Sequence, residues 1–117
     1  MIIPINIAAT VTLDASGNGI AKLGPNVGQR WNVLTASVLI PTPNVKIPPC
    51  NIFVGGAPTS QFFVDGTYTG NLDSTSRTAG YIITAGGYVW AVWTGGDVGA
   101  QATLSVIGQQ QYGGRPR

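Results

Sequence analysis

Histidine and glutamate do not occur among the 117 residues of this chain, and cysteine and methionine occur once each. Without an imidazole, neither a Ser–His–Asp nor a Cys–His arrangement can be built, since each needs a base working near neutral pH. One Cys and no His exclude zinc sites of the usual Cys/His kind. A lone Cys50 cannot close an intrachain disulfide, and its expected place is the core, as a small buried hydrophobe. The acids are all Asp, at positions 14, 65, 73 and 97, in turn-like surroundings of Gly and Ser. Local hydrogen bonding accounts for Asp in such places, so paired carboxylates acting as acid and base are not expected. Gly86-Gly87 and Gly95-Gly96 lack the Gly-Lys-Ser/Thr that completes a phosphate loop. The chain is therefore expected not to be an enzyme, with no catalytic residue, metal or cofactor.

Charge is scarce as well. Only 9% of residues are charged, against roughly 25% in an average soluble protein. Arg115 and Arg117 stand at the C-terminal end, and the remaining four basic residues balance the four Asp. A neutral body argues against a nucleic-acid groove, whose affinity rests on clustered Lys and Arg. No apolar stretch reaches the roughly 18 residues of a membrane-spanning helix, and membrane insertion is not expected. The start, Met1-Ile2-Ile3-Pro4, has neither the basic region nor the apolar run of a signal peptide.

What is present is 17 Gly and 8 Pro punctuating short segments of period two. Ile5, Ile7, Ala9, Val11 and Leu13 alternate with Asn6, Ala8, Thr10 and Thr12, the pattern of a strand with one apolar face. The turn cluster Asp14–Gly19 and the return at 20–23 predict a hairpin. A third strand is predicted over 30–40, with Asn32, Leu34, Ala36, Val38 and Ile40 inward. Its phase blurs near Leu34, which predicts a bulge there. The proline-rich stretch 41–49 is irregular or polyproline-like. Further strands are predicted at 50–54, 61–64, 81–84, 88–93 and 100–107, with a long Thr/Ser/Gly loop over 67–79.

About eight short strands and no helical stripe predict an all-β fold: an antiparallel β-sandwich, jelly-roll-like. One β-sandwich domain is expected over 1–108 and a polar C-terminal arm over 109–117, which cannot bury enough apolar surface to fold alone. Removing the arm is expected to leave stability nearly unchanged. Ile5, Val11, Leu13, Leu34, Val38, Ile52, Val92 and Leu104 are the expected core.

Contact residues are expected on the loops around 65–78 and 94–99, because binding groups concentrate on loops held by a rigid scaffold. These are Asp65, Tyr68, Asp73, Trp93 and Asp97. In the arm, Tyr112 offers an aromatic anchor and Arg115 and Arg117 charge-assisted hydrogen bonds, the residue types in which interface energy concentrates. Asp65, Asn71 and Asp73 are oxygen ligands of a kind Ca²⁺ uses, but their spacing is not that of an EF-hand and turn chemistry gives the same composition. Trp90 and Trp93 fall on opposite faces of one strand by parity. One should be core. The other is either exposed, where it can stack on a sugar ring, or covered by a loop or a neighbouring subunit.

Several segments together resemble small virion proteins of tailed actinobacterial phages. They are Pro4-Ile5-Asn6, Leu23-Gly24-Pro25, Cys50 to Gly55, Asp65 to Gly70, and Val92-Trp93-Thr94-Gly95-Gly96-Asp97 leading into Ala102-Thr103-Leu104. The resemblance covers most of the chain apart from the Gln-rich end, and its motifs are turn-rich and carry no chemistry. It implies a non-enzymatic virion structural protein made in the host bacterial cytoplasm, a minor tail or tail-tip component involved in assembly or host contact. The alternatives are a capsid decoration protein on the head shell and a carbohydrate-binding module. Expected partners are other virion proteins, further copies of the chain in a homo-oligomer (a trimer favoured), and a host cell-surface glycan.

Overall fold

The computed structural model describes residues 2–40, 49–67 and 73–112, without the side chains of 67, 73, 76–79 and 112. Eight strands follow one another: β1 Ile2–Thr12, β2 Gly19–Leu23, β3 Gln29–Leu39, β4 Cys50–Gly55, β5 Phe63–Thr67, β6 Asp73–Thr84, β7 Tyr88–Trp93 and β8 Gln101–Tyr112. The one helical piece among the described residues is a 3₁₀ turn at Ser60–Phe62.

Two four-stranded sheets form, ordered β1-β8-β3-β6 (sheet A) and β2-β7-β4-β5 (sheet B). All pairings are antiparallel. The pairs β1·β8, β2·β7, β3·β6 and β4·β5 nest one inside the next. The chain thus behaves as one long hairpin, closed at β4–β5 and rolled up so that its layers alternate between sheets. That is the jelly-roll arrangement, and the expected all-β sandwich is present.

The nesting corrects the predicted first hairpin. β1 and β2 do not pair with each other; they lie in different sheets. A turn signal reports that the chain reverses, not which sheet receives the returning strand. The corner itself is well built. Asp14 accepts backbone N–H bonds from Ser16 (2.8 Å) and Asn18 (3.0 Å). Gly17, at φ +77°, comes so close to Gly96 that a Cβ would lie 2.0 Å from its carbonyl oxygen. Gly96 N–H bonds to Gly17 O at 2.8 Å, and Gly95 N–H bonds to the Asn18 side-chain oxygen at 3.0 Å.

The bulge predicted near Leu34 is there, as a register shift between Val33 and Thr35 against both neighbours of β3. It also overturns the predicted facing of the first half of that strand. Trp31 and Val33 are buried before the bulge, Ala36, Val38 and Ile40 after it, while Asn32 and Leu34 are only half-buried. One extra residue lets both parities point inward, each on its own side of the bulge.

Two further boundaries differ from expectation. The loop predicted over 67–79 ends at Asp73, where β6 begins; its Asp-Ser-Thr-Ser stretch pairs with Val38 to Thr35 of β3. That stretch has no apolar alternation to betray it, although Thr suits a strand. The arm predicted from 109 begins inside β8, because Gln109, Gln110 and Gln111 pair with Pro4, Ile3 and Ile2 on one side and Asn32, Trp31 and Arg30 on the other. Gln110 is buried and accepts the Trp31 indole N–H at 2.9 Å. A Gln run reads as polar tail in sequence, but a buried partner satisfies its amide here. Residues 113–117 lie outside the described residues.

Between the sheets lie Leu13, Ala21, Trp31, Val33, Val38, Ile40, Cys50, Ile52, Val89, Ala91, Trp93, Ala102, Leu104 and Val106, with others. Of the expected core, Leu13, Val38, Ile52 and Leu104 are buried, while Ile5 and Val11 are half-buried and packed against the cluster. Val92 is a correction. It lies on the outer face of β7, since Val89, Ala91 and Trp93 are the buried parity.

Candidate functional site

The burial of Trp93 decides what the other side of β7 shows. Trp93 stands opposite Gly19 on β2 and Cys50 on β4, both on the inner face, and is fully buried. By alternation Tyr88, Trp90 and Val92 then point outward, each half-buried. The register extends this outer face sideways. Trp90 lies opposite Lys22 on β2 and Phe53 on β4, and Phe53 opposite Phe63 on β5. A single row, Lys22–Trp90–Phe53–Phe63, therefore crosses all four strands of sheet B. The neighbouring row is Ile20–Val92–Asn51–Gly66.

The rings support one another. Tyr88 and Trp90 meet edge to face at 5.5 Å between centroids, and Phe53 and Phe63 at 5.8 Å, the arrangement aromatic quadrupoles favour. The Lys22 ammonium sits 4.5 Å from the Tyr88 centroid and 5.1 Å from that of Trp90, within reach of a cation–π attraction. Trp90 donates its indole N–H to the carbonyl of Gly55 at 3.0 Å, which fixes the ring against the sheet. Gly55 has no side chain for a reason: a Cβ there would lie 2.4 Å from the Phe62 ring. At the β5 edge of the sheet Phe63 is 51% exposed and lies against Phe53, which is buried; at the opposite, β2 edge Ile20, in the other row, is 53% exposed, so the face presents apolar surface to solvent at both edges.

The residues expected from sequence to make contact lie elsewhere. Trp93 is core, which corrects its place as a surface contact. Asp65 sits on β5, half-buried, in register with inward-facing Ile52, and its carboxylate accepts the Gly66 N–H at 2.8 Å. Asp97 is half-buried in the β7–β8 loop, and its carbonyl takes the Ala100 N–H at 3.2 Å. That loop is held to the β1–β2 corner by the Gly95 and Gly96 bonds described above. Asp73 opens β6 and Tyr112 closes β8, their side chains outside the described residues; Tyr68, Asn71, Arg115 and Arg117 fall outside them altogether. Among the described residues no three His, Cys, Asp or Glu side chains come together as metal ligands.

Sequence reasoning missed Lys22, Phe53, Phe63 and Tyr88. The parity of Tyr88-Val-Trp90-Ala-Val92-Trp93 separated Trp90 from Trp93, but a strand apolar on both faces does not say which face is inner. Gly19, small and opposite Trp93, was the available clue.

The other outer face, on sheet A, is nearly uncharged and mixed, with Ile2, Leu39, Ile82 and Ile107 exposed among Thr, Ser, Asn and Gln. Thr10 and Thr103 share a hydroxyl hydrogen bond of 2.9 Å, Gln101 donates to Thr12 at 2.9 Å, and Arg30 donates to Gln111. No protein-family model, no curated protein and no solved structure matches the chain.

Proposed function

We propose that this protein is a non-enzymatic structural subunit of a tailed-phage virion, a minor tail or tail-tip component that works through its surfaces. The observation that carries the reading is the row Lys22–Trp90–Phe53–Phe63 on the outer side of sheet B, in which Lys22 and Phe63 are exposed, Trp90 is half-buried and Phe53 is covered. Exposed apolar surface of this kind marks contact sites, and Trp and Tyr are the residues in which interface energy concentrates. A charge-poor composition fits the same purpose, because burying a charge at an interface is costly. The sequence resemblance to actinobacterial phage virion proteins supplies the setting: synthesis in the host cytoplasm, then incorporation beside other virion proteins as a symmetric homo-oligomer, with a trimer favoured.

Purified particles of the phage that encodes this chain provide the test. The chain should appear in them by mass spectrometry, and gold-labelled antibody should mark the tail. Label confined to the head shell would support the decoration reading instead. Absence from purified particles would overturn both.

A further inference from the structure

We infer that the outer face of sheet B is a binding site for an acidic polysaccharide, with Tyr88, Trp90 and Phe63 supplying ring surface and Lys22 the cation. The inference rests on reading this face as a contact surface and adds what it contacts.

The row from Lys22 to Phe63 spans three inter-strand spacings, about 14 Å, and is held by main-chain ladders on every strand. Its rings are ordered before any ligand arrives, so little side-chain entropy is lost on binding. Aromatic faces carry negative quadrupole charge. They attract the electron-poor C–H face of a sugar ring as they attract the Lys22 ammonium.

Charge selects among sugars. Lys22 is the sole charged side chain that the described residues place on this face; it is exposed, lies against two rings, and has no carboxylate partner among them. The acids lie away from it. Asp14 is in the β1–β2 corner, Asp97 in the β7–β8 loop and Asp73 in sheet A, while Asp65 on β5 is in register with the inward-facing Ile52 of β4. The complementary charge must come from outside. Asn51, exposed in the adjacent row, offers an amide to hydroxyls. A sugar acid brings a C–H face for the rings, a carboxylate for Lys22 and hydroxyls for Asn51. An acidic peptide brings the carboxylate without a rigid C–H face.

The test titrates the full chain with polygalacturonate, with dextran as the neutral control and polyglutamate as the charge-only control. Trp31 and Trp93 are buried and Trp90 is half-exposed, so a change in tryptophan emission reports on this face. A saturable change is expected with polygalacturonate alone. Lys22→Gln should weaken binding about tenfold, the worth of a charge-assisted contact, Lys22→Arg should retain it, and Phe63→Ser should weaken it, with melting temperatures close to the parent's. Equal binding to dextran or to polyglutamate, no binding to polygalacturonate, or unchanged binding by Lys22→Gln would overturn the inference. Failure here with the chain present in purified particles leaves the structural reading standing. Binding here with the chain absent from particles removes that reading and keeps the site.

Discussion

A methyl group added at Gly108 would lie 2.2 Å from the carbonyl oxygen of Asn32 and 3.0 Å from Cα of Val33. Both atoms belong to the backbone of β3, so no rotamer change relieves the clash. Gly108→Ala should lower stability by about 3 kcal/mol or more, read from the urea midpoint. Gly86→Ala meets nothing within 4 Å and has only its φ of +93° to accommodate, a cost of about 1–2 kcal/mol. Burial separates another pair. Leu104→Ala, at a fully buried position, should cost about 2–5 kcal/mol, whereas Val92→Ala on the outer face should cost under about 1 kcal/mol. Equal losses would contradict the facing of β7. At Asp14, the N–H groups of Asn18 first and Ser16 second hold the carboxyl below its usual range. A depressed folded-state pKa means the carboxylate's contribution is full above the ordinary Asp value and fades as pH falls through the lower folded value. The stability difference between the parent and Asp14→Ala should therefore be constant near neutral pH and shrink below the ordinary Asp value. A difference that grows on acidification would refute the capping role.

At the scale of the element, β3 carries the most information. Its bulge places Trp31 and Val33 on one parity and Ala36, Val38 and Ile40 on the other, all inward. Deleting Leu34 would remove the extra residue and leave Trp31, Val33, Ala36 and Val38 on one continuous inward parity, in unbroken register with β8. Deleting Ser37, in the regular part of the strand, would instead turn either Val38 and Ile40 or the preceding apolar set outward. The expected result is a cooperative melting transition kept by the Leu34 deletion and lost by the Ser37 deletion; the reverse order would contradict the assigned position of the bulge. The blurred period at Leu34 made the bulge legible in sequence. The direction of each half was not, because Asn32 and Leu34 look as acceptable inside as Trp31 and Val33 until the opposing sheet is in place. β6 was illegible for a different reason. Its first half, Asp73 to Thr78, is polar and mostly Ser and Thr, which read as a loop unless β3 is already there to pair with.

Across the whole molecule, the strands of sheet A reach 11 or 12 residues in β1, β3, β6 and β8, while those of sheet B stop at 5 or 6. The described body is accordingly elongated, 53 × 22 × 21 Å. The far end of β8 ties β1 to β3, and Gln110 there satisfies the Trp31 indole. Removing 109–117 should thus destabilise the isolated domain, contrary to what a polar tail suggests, whereas removing 113–117 leaves every described pairing intact. Thermal melts of the two truncations should separate by several degrees, the scale of about 1–3 kcal/mol in a domain of this size. If both melt with the parent, the β8 end contributes nothing to stability.

Period-two alternation, turn clusters and the absence of a helical stripe were enough to establish an all-β sandwich, because those signals are local and each strand carries its own. Missing His was likewise enough to exclude Ser–His–Asp and Cys–His arrangements, since those need an imidazole that the chain does not contain. The aromatic row was decided only by tertiary structure. Lys22, Phe53, Phe63 and Trp90 are far apart in sequence, and they become neighbours through the nested pairing of four strands. Which tryptophan faces out follows from Trp93 finding space opposite Gly19, a fact of register that no single strand contains.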